Sequence, residues 1–131
     1  MRNRLSLTPI IAIALSGSLL FAGCVTPTSP QSTTEIPSPF HGIWTYDASG
    51  VHPSAAELPW TVKPGSISGH ESNGKVTSVS IVDPREVVVS RDVSAEGEEF
   101  KTVETLKLSP DGNQLTVTSS GGEPFTLYRV R

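Results

Sequence analysis

From Phe40 to Arg131 the chain never holds helical spacing for a dozen residues, and short β-rich stretches are cut by Gly, Pro, Asn or Asp at intervals of roughly ten residues. A chain so interrupted cannot propagate a long helix and has to pair many short strands instead. The spacing predicts strands over Gly42 to Tyr46, Trp60 to Lys63, Ser66 to Glu71, Lys75 to Asp83, Glu86 to Val93, Phe100 to Ser109, Gln114 to Thr118 and Phe125 to Val130. Pro64-Gly65, Ser72-Asn73-Gly74 and Asp83-Pro84-Arg85 are turn signals. Ser109-Pro110-Asp111-Gly112-Asn113 is the strongest hairpin signal, because Pro pre-sets one turn dihedral and Gly112 supplies a positive φ. Ser94 to Glu99 reads as an acidic loop. Asp47 to Leu58 is the irregular piece, either one helical turn around Ser54 to Glu57 or a lid across a barrel end.

The strands alternate. Val79 and Ile81 face away from Ser78 and Ser80, Leu106 and Leu108 away from Thr105 and Lys107, and Leu115 and Val117 share one side. A sheet with one apolar face must curl on itself or be covered. The expected fold is therefore all-β: an antiparallel meander of seven or eight strands in residues 40–131, a small barrel or strongly curled sheet, with the barrel preferred.

Residues 1–39 have a different grammar. Met1-Arg2-Asn3-Arg4 is a basic start, and Leu5 to Phe21 is an apolar run weakened by Pro9 and Gly17. A membrane-spanning helix needs about 20 apolar residues, and this run is shorter. A buried core helix would show a polar face. The basic start, apolar middle and small residues Ala22-Gly23 fit a secretory signal helix, residues 1–23. Its end, Leu20-Phe21-Ala22-Gly23-Cys24, resembles the lipobox of bacterial lipoproteins, with Phe21 where Leu is usual. That resemblance implies cleavage between Gly23 and Cys24 and attachment of lipid, diacylglycerol and then fatty acid such as palmitate, to Cys24. A simple signal peptide would leave Cys24 incidental, yet it is the chain's only cysteine. One acyl chain gives reversible attachment at about 0.8 kcal/mol per buried methylene, and two or three hold firmly. Val25 stands where an Asp would retain an enteric-type lipoprotein in the inner membrane. The resemblance thus implies the cell envelope, on the periplasmic face of an outer membrane.

After Cys24, Thr26 to Pro39 carries four prolines and one large apolar residue, Ile36. Residues 24–39 are expected to form a disordered linker, able to reach about 40 Å at about 3.1 Å per residue. Without Arg2 and Arg4 the chain carries 8 basic against 13 acidic side chains, a balance of −5. With no basic cluster, nucleic acid is excluded as a partner.

Gly42-Ile43-Trp44 resembles the Gly-x-Trp opening of lipocalin-like barrels, in which the indole plugs the closed end. The resemblance implies a basic residue of the last strand, Arg129 or Arg131, packed across that ring. Gly42-Ile43-Trp44, His70-Glu71-Ser72-Asn73-Gly74 and Leu108-Ser109-Pro110-Asp111-Gly112 together resemble a pattern of small exported proteins of proteobacteria, which brings no known activity with it.

The residues offer little chemistry. Gly65-Ser66-Ile67-Ser68-Gly69 has isoleucine where a nucleophile elbow needs serine. His41, His52 and His70, with Asp47, Glu57 or Glu71, have no ligand spacing, so neither a metal nor a cofactor is expected. No base, nucleophile and oxyanion set assembles, and the chain is not expected to be an enzyme. Trp44 and Trp60 read as core anchors. The surface residues most suited to a partner are Trp60, His52, Glu96, Glu98 and Glu99. The expected role is a lipid-anchored, non-enzymatic binding module contacting an envelope protein. The alternatives are an inhibitor of an extracytoplasmic hydrolase, a class that shares the Gly-x-Trp start, and an assembly accessory.

Overall fold

The computed structural model describes residues 23, 29–51, 59–69 and 72–131. Residues 1–22 of the signal segment, Cys24, residues 52–58 with His52 and the turn expected at Ser54 to Glu57, and His70 and Glu71 lie outside the described residues.

Among the described residues nine strands follow one another: β1 (Gln31–Thr33), β2 (Gly42–Thr45), β3 (Trp60–Lys63), β4 (Ser66–Gly69), β5 (Ser72–Asp83), β6 (Glu86–Ala95), β7 (Glu98–Leu108), β8 (Gln114–Ser119) and β9 (Phe125–Arg129). Each of β2 to β9 pairs antiparallel with its neighbour in sequence, and β2 pairs with β9. The meander therefore closes into an eight-stranded barrel, the size at which side chains alone fill the interior. β1 is the extra strand. It pairs with Val79 to Ile81 of β5, along an edge that β4, which reaches only Lys75, leaves free.

Ser72-Asn73-Gly74, read as a turn signal, instead opens β5 and pairs with Gly69, Ser68 and Ile67 of β4, whereas the β7–β8 turn obeys its local chemistry. Ser109 and Gln114 close the β7–β8 hairpin, with Gly112 at φ 74°. The Ser109 hydroxyl and the Asn113 N–H both donate to the Asp111 carboxylate. These hydrogen bonds, the hydroxyl's first, hold its pKa below the ordinary carboxylate value. Ser94 to Glu99, expected as a loop, is instead strand on both sides of a two-residue turn. Glu96 and Gly97 both take positive φ, 51° and 81°. Two such residues make the turn whose twist matches a hairpin, so Ala95 and Glu98 already pair.

Residues 31–39 depart from the expected linker. Beyond β1, the chain enters the barrel end through Ile36, whose N–H donates to Pro64 O at 2.8 Å. A 3-10 turn, Ser38–Phe40, then crosses that end. Ile36 and Phe40 are both buried in the core. Ile36 supplies the burial that a proline-rich stretch otherwise lacks, which is why order begins well before Phe40.

Alternation places Trp44, Val62, Ile67, Val76, Val79, Val87, Val89, Leu106, Leu115, Val117 and Leu127 inside, all buried. In β5 a bulge between Val76 and Ser78 absorbs one residue, so both Val76 and Val79 face inward.

Candidate functional site

The two ends of the barrel differ. At the plugged end Trp44 is fully buried, and its indole N–H donates to Phe40 O at 3.1 Å. Trp44 and Arg129 are cross-strand partners, and the guanidinium lies 4.2 Å from the indole centroid. Arg129 also donates from Nη2 to Pro39 O, from Nη1 to His41 O and from Nε to Gly112 O, at 2.7, 2.7 and 2.9 Å. One side chain thus joins the plug, the first barrel strand and the β7–β8 turn. Burial lowers its pKa. Gly42, at φ 134°, sits where a Cβ would meet Arg129 Nη1 at 3.0 Å. His41 belongs to the same seam, its Nε2 lying 2.6 Å from Ile36 O.

The opposite end carries aromatic side chains around a buried charge pair. Trp60 packs edge-on to Phe125 with centroids 5.4 Å apart, and Tyr46 lies 5.8 Å from the same ring. The Trp60 indole N–H donates to Tyr46 Oη at 3.1 Å. Below them Arg91 grips Glu104 through two hydrogen bonds, Nε to Oε2 at 3.0 Å and Nη2 to Oε1 at 2.7 Å. Its third nitrogen, Nη1, donates to Ile67 O, and its guanidinium lies 5.6 Å from the Trp60 ring.

Space for this pair comes from glycine. A Cβ on Gly74 would stand 2.6 Å from Arg91 Nη1, and one on Gly69 would stand 3.1 Å from the Trp60 indole nitrogen. Two charges leave water at a cost of several kcal/mol each, which this bidentate geometry and the extra carbonyl offset. Among the described residues no buried side-chain polar atom lacks a partner. The pair is saturated, and its hydrogen bonds all run within the barrel wall.

Two concavities formed by the described residues lie on the outside. A groove of about 680 Å³ runs over the outward face of β4 to β7, lined by Asn73, Lys75, Asp92, Ser94, Glu99 and Lys101. A smaller one of about 310 Å³ lies between Ala48–Gly50 and Tyr128–Arg131. In the larger groove Lys101 pairs with Asp92 at 2.9 Å, both well exposed, an ion pair of little net energy.

Of the residues proposed for a partner, Trp60 is half-buried on the aromatic rim. Glu96 forms the β6–β7 turn, and Glu98 and Glu99 open β7 with their side chains exposed. Trp60 and the three glutamates thus belong to different features, rim and hairpin. Gly23 is exposed, while Cys24 and His52 lie outside the described residues. Among the described residues no three His, Cys, Asp or Glu side chains gather as metal ligands. Ile67, the centre of Gly65 to Gly69, is a core residue.

Arg91 and Glu104 escaped the sequence reading. Their signal was parity: Arg91 interrupts the inward series Val87, Val89, Val93, and Glu104 continues Leu106 and Leu108. Two opposite charges on inward positions of neighbouring strands mark a buried pair.

The chain matches no family model, no curated protein and no solved structure.

Proposed function

We propose that this protein is a lipid-anchored, non-enzymatic binding module of the cell envelope that meets a macromolecule on its outer surface. The anchor is Cys24, by the resemblance of Leu20 to Cys24 to a lipobox. The observation that carries the binding mode is the filled interior. Tightly packed valines, leucines and Trp44 occupy one part of the barrel, and the saturated Arg91–Glu104 pair occupies the other. A small-molecule carrier of this strand number keeps its interior open for cargo. Here the larger groove is on the outside.

Photocrosslinking in intact cells tests the reading. A benzoylphenylalanine in place of Lys75 or Asn73, in the outer groove, is expected to give an adduct of discrete protein mass. The same group in place of exposed Val82, at the far tip of the β5–β6 hairpin, is expected to give none. Adducts to small molecules alone, or equal labelling from both regions, would overturn it. An adduct with an extracytoplasmic hydrolase whose activity falls would select the inhibitor reading.

A further inference from the structure

The barrel is closed, but one of its strands outruns its neighbour. β7 pairs with β6 along its whole length, Glu98 to Lys107. On its other side it pairs with β8 only from Glu104 to Leu108. The last contact on that side is Ser120 N–H donating to Val103 O at 3.2 Å. Among the described residues, no strand pairs with Glu98 to Thr102 on the side away from β6. Residues 98 to 101 are exposed, Phe100 at 50%.

Strand parity fixes which groups are free. Leu108 N–H points toward the β5–β6 side, to Arg85 O, and Val103 O points toward β8. Both backbone groups of a strand residue point to one side, and successive residues alternate. Glu99 and Lys101 therefore direct their N–H and C=O groups out of the open edge. Their side chains share the outer face, while Glu98, Phe100 and Thr102 share the other.

We propose that two copies of this chain pair antiparallel through this edge, with Phe100 opposite Phe100 on the two-fold axis. That register makes Glu99 of each copy the direct partner of Lys101 of the other. Both pairs are of the hydrogen-bonded kind, so the four free N–H and four free C=O groups of Glu99 and Lys101 close four main-chain hydrogen bonds. The two ion pairs lie on the outer face, where Asp92 of β6 already flanks each Lys101. Phe100 and its symmetry mate form the non-hydrogen-bonded pair between them, covering two half-exposed rings.

The charges also select this register. Edge parity permits only pairings in which an outward-directed residue meets another, so the slide runs in steps of two residues. One step one way sets Glu99 against Glu99; one step the other sets Lys101 against Lys101. Like charges directly opposite destabilise a pair and opposite ones support it. Only the arrangement centred on Phe100 is complementary. A charged edge commonly protects against strand addition, but here the charges reject foreign edges while fitting their own copy. The contact is short, so the dimer forms and dissociates with concentration rather than being permanent.

Cysteine crosslinking of the full chain tests this. With Cys24→Ser, Phe100→Cys becomes the only thiol in the chain. Opposed residues of a non-hydrogen-bonded pair have Cα atoms about 4.5 Å apart, within disulfide reach. Glu98→Cys in the same background places its thiols about 13 Å apart along the strands, out of reach. Mild oxidation should give a covalent dimer from Phe100→Cys and little from Glu98→Cys. Adding Glu99→Lys, an exposed change with Ser94 as its neighbour on β6, should slow the Phe100→Cys reaction about tenfold. Its unchanged circular dichroism would confirm the fold. Equal rates at positions 98 and 100, indifference to Glu99→Lys, or a monomer at every concentration in sedimentation of the unmodified chain would overturn the proposal. So would pairing of this edge with a different protein. Glu99 and Lys101 also line the outer groove, so a photoadduct from Lys75 or Asn73 at twice the chain's mass belongs to this dimer, and only an adduct with a different protein supports the proposed binding module; the two readings then fail separately.

Discussion

Glu104→Gln is expected to destabilise the barrel by about 3–5 kcal/mol, because it strands the Arg91 guanidinium without a counter-charge. Arg91 is 5% exposed and Glu104 4%, and their hydrogen bonds are directed at each other and at Ile67 O. Water cannot take over for the lost carboxylate in so closed a place. The double replacement Arg91→Met with Glu104→Leu removes both charges and keeps much of the volume. It should restore stability to near that of the parent chain, since apolar substitutes for a buried pair are often neutral or stabilising. Denaturant midpoints of the two variants check this. If Glu104→Gln and the double variant unfold together, the pair is not a coupled unit. The pair's other consequence is specificity. It exists only when β6 and β7 sit in the observed register, with Val89 opposite Glu104 and Arg91 opposite Thr102, and Gly74 of β5 lies alongside.

Trp44→Ala is the second large effect, at about 3–5 kcal/mol for loss of a buried aromatic side chain. Three losses coincide. The core loses its largest fully buried side chain. Arg129 loses the ring over which it stacks, and Phe40 O loses the indole N–H. A domain of this size is typically stable by only about 5–15 kcal/mol, so the variant should lie near its unfolding threshold at growth temperature. Arg129→Lys tests the coupling: it keeps a charge but cannot reach Pro39 O, His41 O and Gly112 O together. It should cost less than Trp44→Ala, and Trp44→Ala should then mask most of it in a double-mutant cycle. Additive effects would show that ring and guanidinium are independent.

The strand plan was legible because alternation and turn chemistry agree. Leu106 and Leu108, Leu115 and Val117, and the Ser109 to Asn113 turn all lie where period two and glycine placement put them. Closure itself was not encoded in any one stretch. It depends on the pairing of Trp44 with Arg129 across the first and last barrel strands. Gly42-Ile43-Trp44 and Arg129 hinted at it, and their stacking is observed. The stretch 31–39 was harder, since a single isoleucine among prolines looks solvated until the barrel end that receives it exists. Arg91 and Glu104 were hidden for the opposite reason: charge is ordinarily an outward signal, and only parity against their neighbours reveals them. The proposed partner surface is the least legible part. It is set by relative strand lengths and outward curvature, which no local pattern records.

Native mass spectrometry of the protein extracted from its own membranes tests the filled barrel and the proposed lipid anchor together. The expected mass is that of a chain beginning at Cys24, increased by covalently bound diacylglycerol and fatty acid, with no small molecule held non-covalently. A chain retaining Met1 with an unmodified Cys24 thiol, or a small organic molecule that leaves only on unfolding, would contradict it.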